Sequence, residues 1–139
     1  MTEAQIARSG WPLWKIGLTA SVLSAIANLA LMLVTKPLLS VAQTFGPLTA
    51  GPIVAWSFIG TFGAVGVYAL IKKWSASPKR VFNIVAVIVL LLSFIPDVAV
   101  VNVAEGPMAG GTMAAAFVLM GMHVISFLIV VPMLHRLAR

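Results

Sequence analysis

The sequence predicts an all-α membrane protein: four transmembrane helices in an up-down bundle, with the N and C termini both cytoplasmic. Hydrophobic residues make up 61% of its 139 positions and charged residues 9%, whereas soluble domains carry about 25% charged residues. The mean hydropathy of +1.10 points the same way. A chain of this length has room for about four spans with short connections. We therefore expect a single transmembrane domain over residues 1–139.

Four apolar runs are each long enough to cross about 30 Å of hydrocarbon as a helix. We expect the spans at about residues 16–35, 49–71, 81–101 and 113–134. A signal peptide is the alternative for the first run, but its apolar stretch exceeds an h-region of about 7–15 residues. Lys36-Pro37 is expected to end the first helix, because proline lacks an amide donor.

The segment after Pro37 has two interpretations. Its apolar spacing fits a short amphipathic helix lying in the membrane interface, formed by Leu38, Leu39, Val41, Ala42 and Phe45. The alternative is an irregular loop that its leucines hold against the protein.

The second run carries glycine at every third position, as Gly60, Gly63 and Gly66. Small residues allow helices to approach closely, although this spacing is not the strict GxxxG pattern. We favour a role in helix packing over a ligand site for these glycines.

Basic residues stand in short groups beside the apolar runs, which argues against nucleic acid as a partner. With an even number of spans, one side of the membrane receives Arg8, Lys15, Lys72, Lys73, Lys79, Arg80, Arg136 and Arg139, and the other receives Lys36. The positive-inside rule places the basic side in the cytoplasm of a multi-pass protein of the bacterial inner membrane. So strong a bias also argues against a dual-topology antiparallel dimer.

Each span also carries polar residues at helical spacing, which lipid cannot satisfy and which should converge inside the bundle. Counted by helix rise, they concentrate in the outer half. This predicts an outward-facing ligand pocket with His123 at its floor, Asp97 near its mouth, and walls that include Asn28, Ser57, Thr61 and Ser93. The alternative is that these groups hydrogen-bond to one another and only set the helix register.

His123 is the residue with the strongest functional signal, because an imidazole titrates near neutral pH and residues 106–134 contain no Asp, Glu, Lys or Arg. The absence of cysteine excludes disulfides, thiolate metal sites and iron–sulfur clusters. His123 and His135 would lie about 18 Å apart along one helix, too far to share a metal. No metal and no cofactor are predicted. A Ser93–His123–Asp97 hydrolytic triad has the right residue types but no supporting motif.

A set of short motifs runs through the chain: Asn28 in the first span, Phe82 and Ser93-Phe-Ile-Pro96 in the third, and Met122-His123 in the fourth. With these motifs the chain, from about Lys15 to Arg136, resembles an uncharacterised bacterial family of small four-helix integral membrane proteins, a domain of unknown function. The resemblance implies the four-helix topology and draws attention to Asn28, Ser93 and His123. It implies no activity. Small multidrug exporters are similar in size, but they carry an acidic residue deep in the first span, where this sequence has Asn28.

Three functions stay open. The leading hypothesis is that the outward pocket binds or passes a small hydrophobic or lipid-like molecule, oriented by Asn28, Ser93 and His123. The second is a membrane-embedded enzyme that uses His123 as acid and base. The third is an accessory subunit that docks onto a larger membrane complex, or onto further copies of itself, through the glycine face and the methionine-rich fourth helix. Membrane lipids are partners in every case.

Overall fold

A computed structural model describes residues 10–39, 41 and 45–138. Within these residues the chain forms four α-helices and no β-strand: α1 Leu13–Leu38, α2 Ala50–Trp74, α3 Pro78–Ala99 and α4 Met113–Leu137. Short 3-10 turns precede α2 at Gly46–Leu48 and follow α3 at Val100–Asn102. Each of the four helices is long and apolar enough to cross a membrane, which confirms the predicted fold class. The side on which the termini lie stays a prediction.

The helices run past most of the predicted ends. α1 runs one residue past the predicted stop at Lys36-Pro37, because it continues through Pro37 to Leu38. A proline in the last turn removes one amide donor without breaking the turns before it. The helix then ends normally, with the Leu39 amide donating to the Thr35 carbonyl oxygen at 2.9 Å. Pro96 likewise falls in the last turn of α3.

The four helices alternate in direction, and α1 packs closely against both α2 and α4. α3 packs mainly on α4 and is the least buried of the four. The Trp11 amide donates to the Leu137 carbonyl oxygen at 2.6 Å, so both ends of the described chain meet at one end of the bundle. We call this the basic end, because the helix termini there carry Lys15, Lys72, Lys73, Lys79, Arg80 and Arg136. The opposite end is the far end.

Two separate apolar clusters form the core. The cluster at the basic end includes Ile16, Ala20, Val65, Tyr68, Phe82, Val130 and Leu134. The cluster at the far end includes Val41, Phe45, Leu48, Ile53, Val100, Ala115 and Met122. Between the two clusters, α1 and α2 bury the polar residues Ser21, Ser24, Asn28, Ser57 and Thr61, which places a polar layer near the middle of the bundle.

The segment after α1 belongs to the far-end cluster. Val41 and Phe45 are both almost fully buried, and Leu48 is fully buried. Val41, Phe45 and Leu48 therefore pack into the bundle instead of lying in the interface, whereas Leu38 and Leu39 are 75% and 46% exposed; Ala42 lies outside the described residues. The buried side chains lie at the end of the bundle at which an outward vestibule was predicted, and that vestibule stays a prediction.

Candidate functional site

Asn28 is the centre of the polar layer. It lies on the buried face of α1, about 15 Å from the far end of that helix. Its Nδ2 atom donates to Ser57 Oγ of α2 at 3.2 Å and to Ser126 Oγ of α4 at 3.1 Å. One amide thus links three helices, as the predicted convergence of the polar faces requires. Ser126 was not among the predicted site residues, although it lies one turn after His123.

Several buried oxygens in this layer have no hydrogen-bond partner among the described residues. They are Asn28 Oδ1 and the hydroxyl oxygens of Ser21, Ser24 and Thr61. Thr61 lies one turn from Ser57 on the same face of α2, and Ser24 lies one turn from Asn28 on α1. The layer is therefore only partly satisfied by its own hydrogen bonds, and its net contribution to stability is correspondingly small.

His123 and Asp97 form a second polar group at a similar depth, where α3 packs on α4. His123 Nδ1 lies 3.0 Å from Asp97 Oδ2 and also 3.0 Å from the Leu119 carbonyl oxygen. The regular hydrogen bond goes to Leu119, and the carboxylate approaches Nδ1 away from the N–H axis, so that Oδ2 has no aligned donor. Asp97 is buried, whereas 43% of the His123 side chain is exposed. The imidazole is thus anchored on one edge and open on the other.

The two side chains were predicted at different depths, Asp97 at a pocket mouth and His123 at its floor, yet they are in contact. The reason is the direction of side chains on antiparallel helices. Each Cα–Cβ bond tilts toward the N-terminus of its own helix, so Asp97 leans toward the basic end and His123 toward the far end. Counting helix rise from sequence positions ignores this lean, and the two leans bring the groups together.

Ser93 takes part in neither group. Its hydroxyl donates to the Leu90 carbonyl oxygen at 2.7 Å, within its own helix. No hydrogen bond in the described residues joins it to His123, so the three members of a hydrolytic triad are not assembled. The described residues also contain no cluster of three or more His, Asp or Glu side chains placed to hold a metal ion.

The glycines of α2 face away from the other helices. A Cβ atom added at Gly60, Gly63 or Gly66 would meet no heavy atom within 4 Å. They therefore do not mediate the close packing of helices inside this chain. A packing role for them between chains stays a prediction.

Two of the clefts on the surface of the described residues lie at the ends of the bundle, and neither contains a predicted pocket residue. One, of about 400 Å³, lies at the far end beside Lys36 and is lined by Met32, Leu33, Pro37, Leu48, Thr49 and Ala50. Lys36 is buried there, and its Nζ donates to the Leu48 carbonyl oxygen at 2.9 Å. The other lies at the basic end, at the start of α3. Asn28 and Asp97 are buried, and 43% of the His123 side chain is exposed.

Comparison with known proteins gives a family but no activity. No curated protein matches the chain, and no solved structure matches it. One family model matches residues 8–139, which is nearly the whole chain and includes every residue of the two polar groups. The chain therefore belongs to a family of unknown function, DUF6069.

Proposed function

We propose that this multi-pass membrane protein binds a small hydrophobic or lipid-like molecule inside the bilayer, at the His123–Asp97 pair. The observation that supports the proposal is the open edge of the imidazole. His123 lies about 15 Å from the start of a membrane-spanning helix, and nearly half of its side chain faces out of the bundle. At that depth an outward surface faces lipid, and a polar atom without a partner costs several kcal/mol by order of magnitude.

The contacts of Nδ1 fix the orientation of the His123 ring. Leu119 and Asp97 hold Nδ1, so the ring cannot turn away from the surface without losing both contacts. A bilayer-dissolved molecule can reach the exposed edge sideways from the membrane, without an opening at either end of the bundle. We further propose that the basic end lies in the cytoplasm of a bacterial cell, which puts the pair in the outer half of the inner membrane.

Native mass spectrometry of the protein released from nanodiscs tests this proposal. We expect the wild-type chain to carry a discrete additional mass that the His123→Leu variant has lost. Ser93→Ala is the matched control, because Ser93 precedes Asp97 by one turn but uses its hydroxyl within its own helix. The control should retain the mass. A bare wild-type chain, or the same mass on the His123→Leu variant, would refute the proposal.

The exposed glycines support a second candidate, association with a larger complex or with further copies of the chain through α2. This face carries no side chain at Gly60, Gly63 and Gly66, and nothing in the described part of the chain covers it. A Gly63→Leu variant should then dissociate while His123→Leu stays assembled. Light scattering of both variants in detergent decides this, and an unchanged assembly mass for Gly63→Leu counts against the candidate.

A further inference from the structure

The tautomer of His123 follows from its neighbours. Nδ1 lies 3.0 Å from two oxygens that both accept hydrogen bonds, the Leu119 carbonyl and the Asp97 carboxylate. A bare lone pair on Nδ1 would face the lone pairs of the Leu119 carbonyl oxygen and lie beside the Asp97 carboxylate, which is repulsive, so Nδ1 carries the hydrogen. In the neutral ring the other nitrogen, Nε2, then has only a lone pair.

Nε2 is therefore the ring nitrogen that remains available to bind a molecule from the membrane. No hydrogen bond or ring contact to it is formed within the described residues. As a neutral nitrogen it needs a donor, and as a protonated nitrogen it needs an acceptor. Hydrocarbon supplies neither, and the ester carbonyls of phospholipids only accept. A hydroxyl group both donates and accepts hydrogen bonds. At a neutral Nε2, which needs a donor, a molecule with a hydroxyl head group can therefore bind where the phospholipid ester carbonyls cannot.

We infer that the molecule held at this pair is a lipid-soluble alcohol or phenol whose O–H donates to His123 Nε2. This inference rests on the proposed function. Asp97 acts as a positioning residue, because its carboxylate contacts Nδ1 and keeps Nε2 turned toward the membrane.

The test compares two probes that differ in one hydrogen-bond donor. The protein, in phosphatidylcholine nanodiscs, receives equal mole fractions of 1-hexadecanol or its methyl ether, 1-methoxyhexadecane. Retained probe is counted by native mass spectrometry for the wild type, Ser93→Ala and His123→Leu. In parallel, ¹⁵N spectra of histidine-labelled protein report the two ring nitrogens, and the His123→Gln variant identifies the His123 signals by their loss.

We expect the wild type and Ser93→Ala to retain the alcohol about tenfold over the ether, the ratio that corresponds to one net hydrogen bond. His123→Leu should show no preference. In the spectra, Nδ1 of His123 should carry the hydrogen, and the alcohol but not the ether should shift the Nε2 signal.

Equal retention of alcohol and ether by the wild type would overturn the inference, as would a hydrogen-free Nδ1. Retention of neither probe would also overturn it. If the wild type still carries a mass from the cell that His123→Leu lacks, the proposed function stands and only the ligand class is wrong. If no mass depends on His123, the proposed function has failed.

Discussion

The amide of Asn28 links three helices, and its contribution to stability can be measured by a double-mutant cycle. The perturbation is Asn28→Ala, alone and together with Ser126→Ala. The single change removes two hydrogen bonds, to Ser57 and to Ser126, at 3.2 and 3.1 Å. Hydrogen bonds between transmembrane helices average about 0.6 kcal/mol in such cycles and reach about 1.7 kcal/mol. Two of them give about 1 kcal/mol.

Two further effects act on the single variant and cancel in the cycle. Truncation leaves a small cavity, which destabilises the fold. It also removes Oδ1, a buried oxygen without a described partner, which is favourable. The coupling free energy between Asn28→Ala and Ser126→Ala reports the Asn28–Ser126 hydrogen bond alone, and we expect this coupling to be about 0.6 kcal/mol.

The assay is reversible unfolding in mixed micelles, read as the free energy of unfolding. The control cycle pairs Asn28→Ala with Ser93→Ala, because the Ser93 hydroxyl bonds within α3. That coupling should be zero within error. If the Asn28–Ser126 coupling is no larger than the Asn28–Ser93 coupling, the amide of Asn28 does not join α1 to α4.

Two other predictions concern packing and topology. A Cβ at Gly111 would lie 2.5 Å from the Val100 carbonyl oxygen, so Gly111→Ala should lower the free energy of unfolding by about 1–3 kcal/mol. The control, Gly63→Ala, has open space around the added Cβ and should be neutral or stabilising by up to about 1 kcal/mol. Equal effects of the two substitutions would contradict the packing of Gly111 at the far end. The second prediction concerns topology and uses the absence of cysteine from the chain, with single cysteines introduced at the exposed positions Ala104 and Ala76. An impermeant maleimide added to intact cells should label Ala104→Cys at the far end and leave Ala76→Cys at the basic end unlabelled. The reverse pattern would invert the proposed orientation.

Much of the fold could be predicted because the bilayer constrains it so strongly. Long apolar runs must be helices, since lipid offers no partners to the backbone, and the four predicted spans match α1 to α4 to within a few residues at each end. Polar side chains on these helices were expected to face inward, and Asn28 does meet Ser57 and Ser126, whereas 43% of the His123 side chain is exposed. The misplaced stop at Pro37 has a local cause, because proline is tolerated in a final turn.

The candidate site was predicted less well, because its geometry depends on contacts between distant parts of the chain. The apolar residues Val41 and Phe45 gave no sign from spacing alone that they would enter the far-end core instead of lying in the interface. That packing lies at the end where a vestibule was expected. Likewise Ser93 has the residue type for a site, but a hydrogen bond to Leu90 engages its hydroxyl.

By itself, the sequence determined that this protein crosses the membrane four times, and that its basic residues gather beside both termini, because hydropathy and charge are properties of each segment on its own. It also identified Asn28, Asp97 and His123 as groups that cannot face lipid without a partner. Only the tertiary structure decided which partners they have. The lean of side chains on antiparallel helices joins Asp97 to His123, and the packing of α1 between α2 and α4 joins Asn28 to two serines. The outward edge of one imidazole, on which the proposed function rests, is a consequence of that packing.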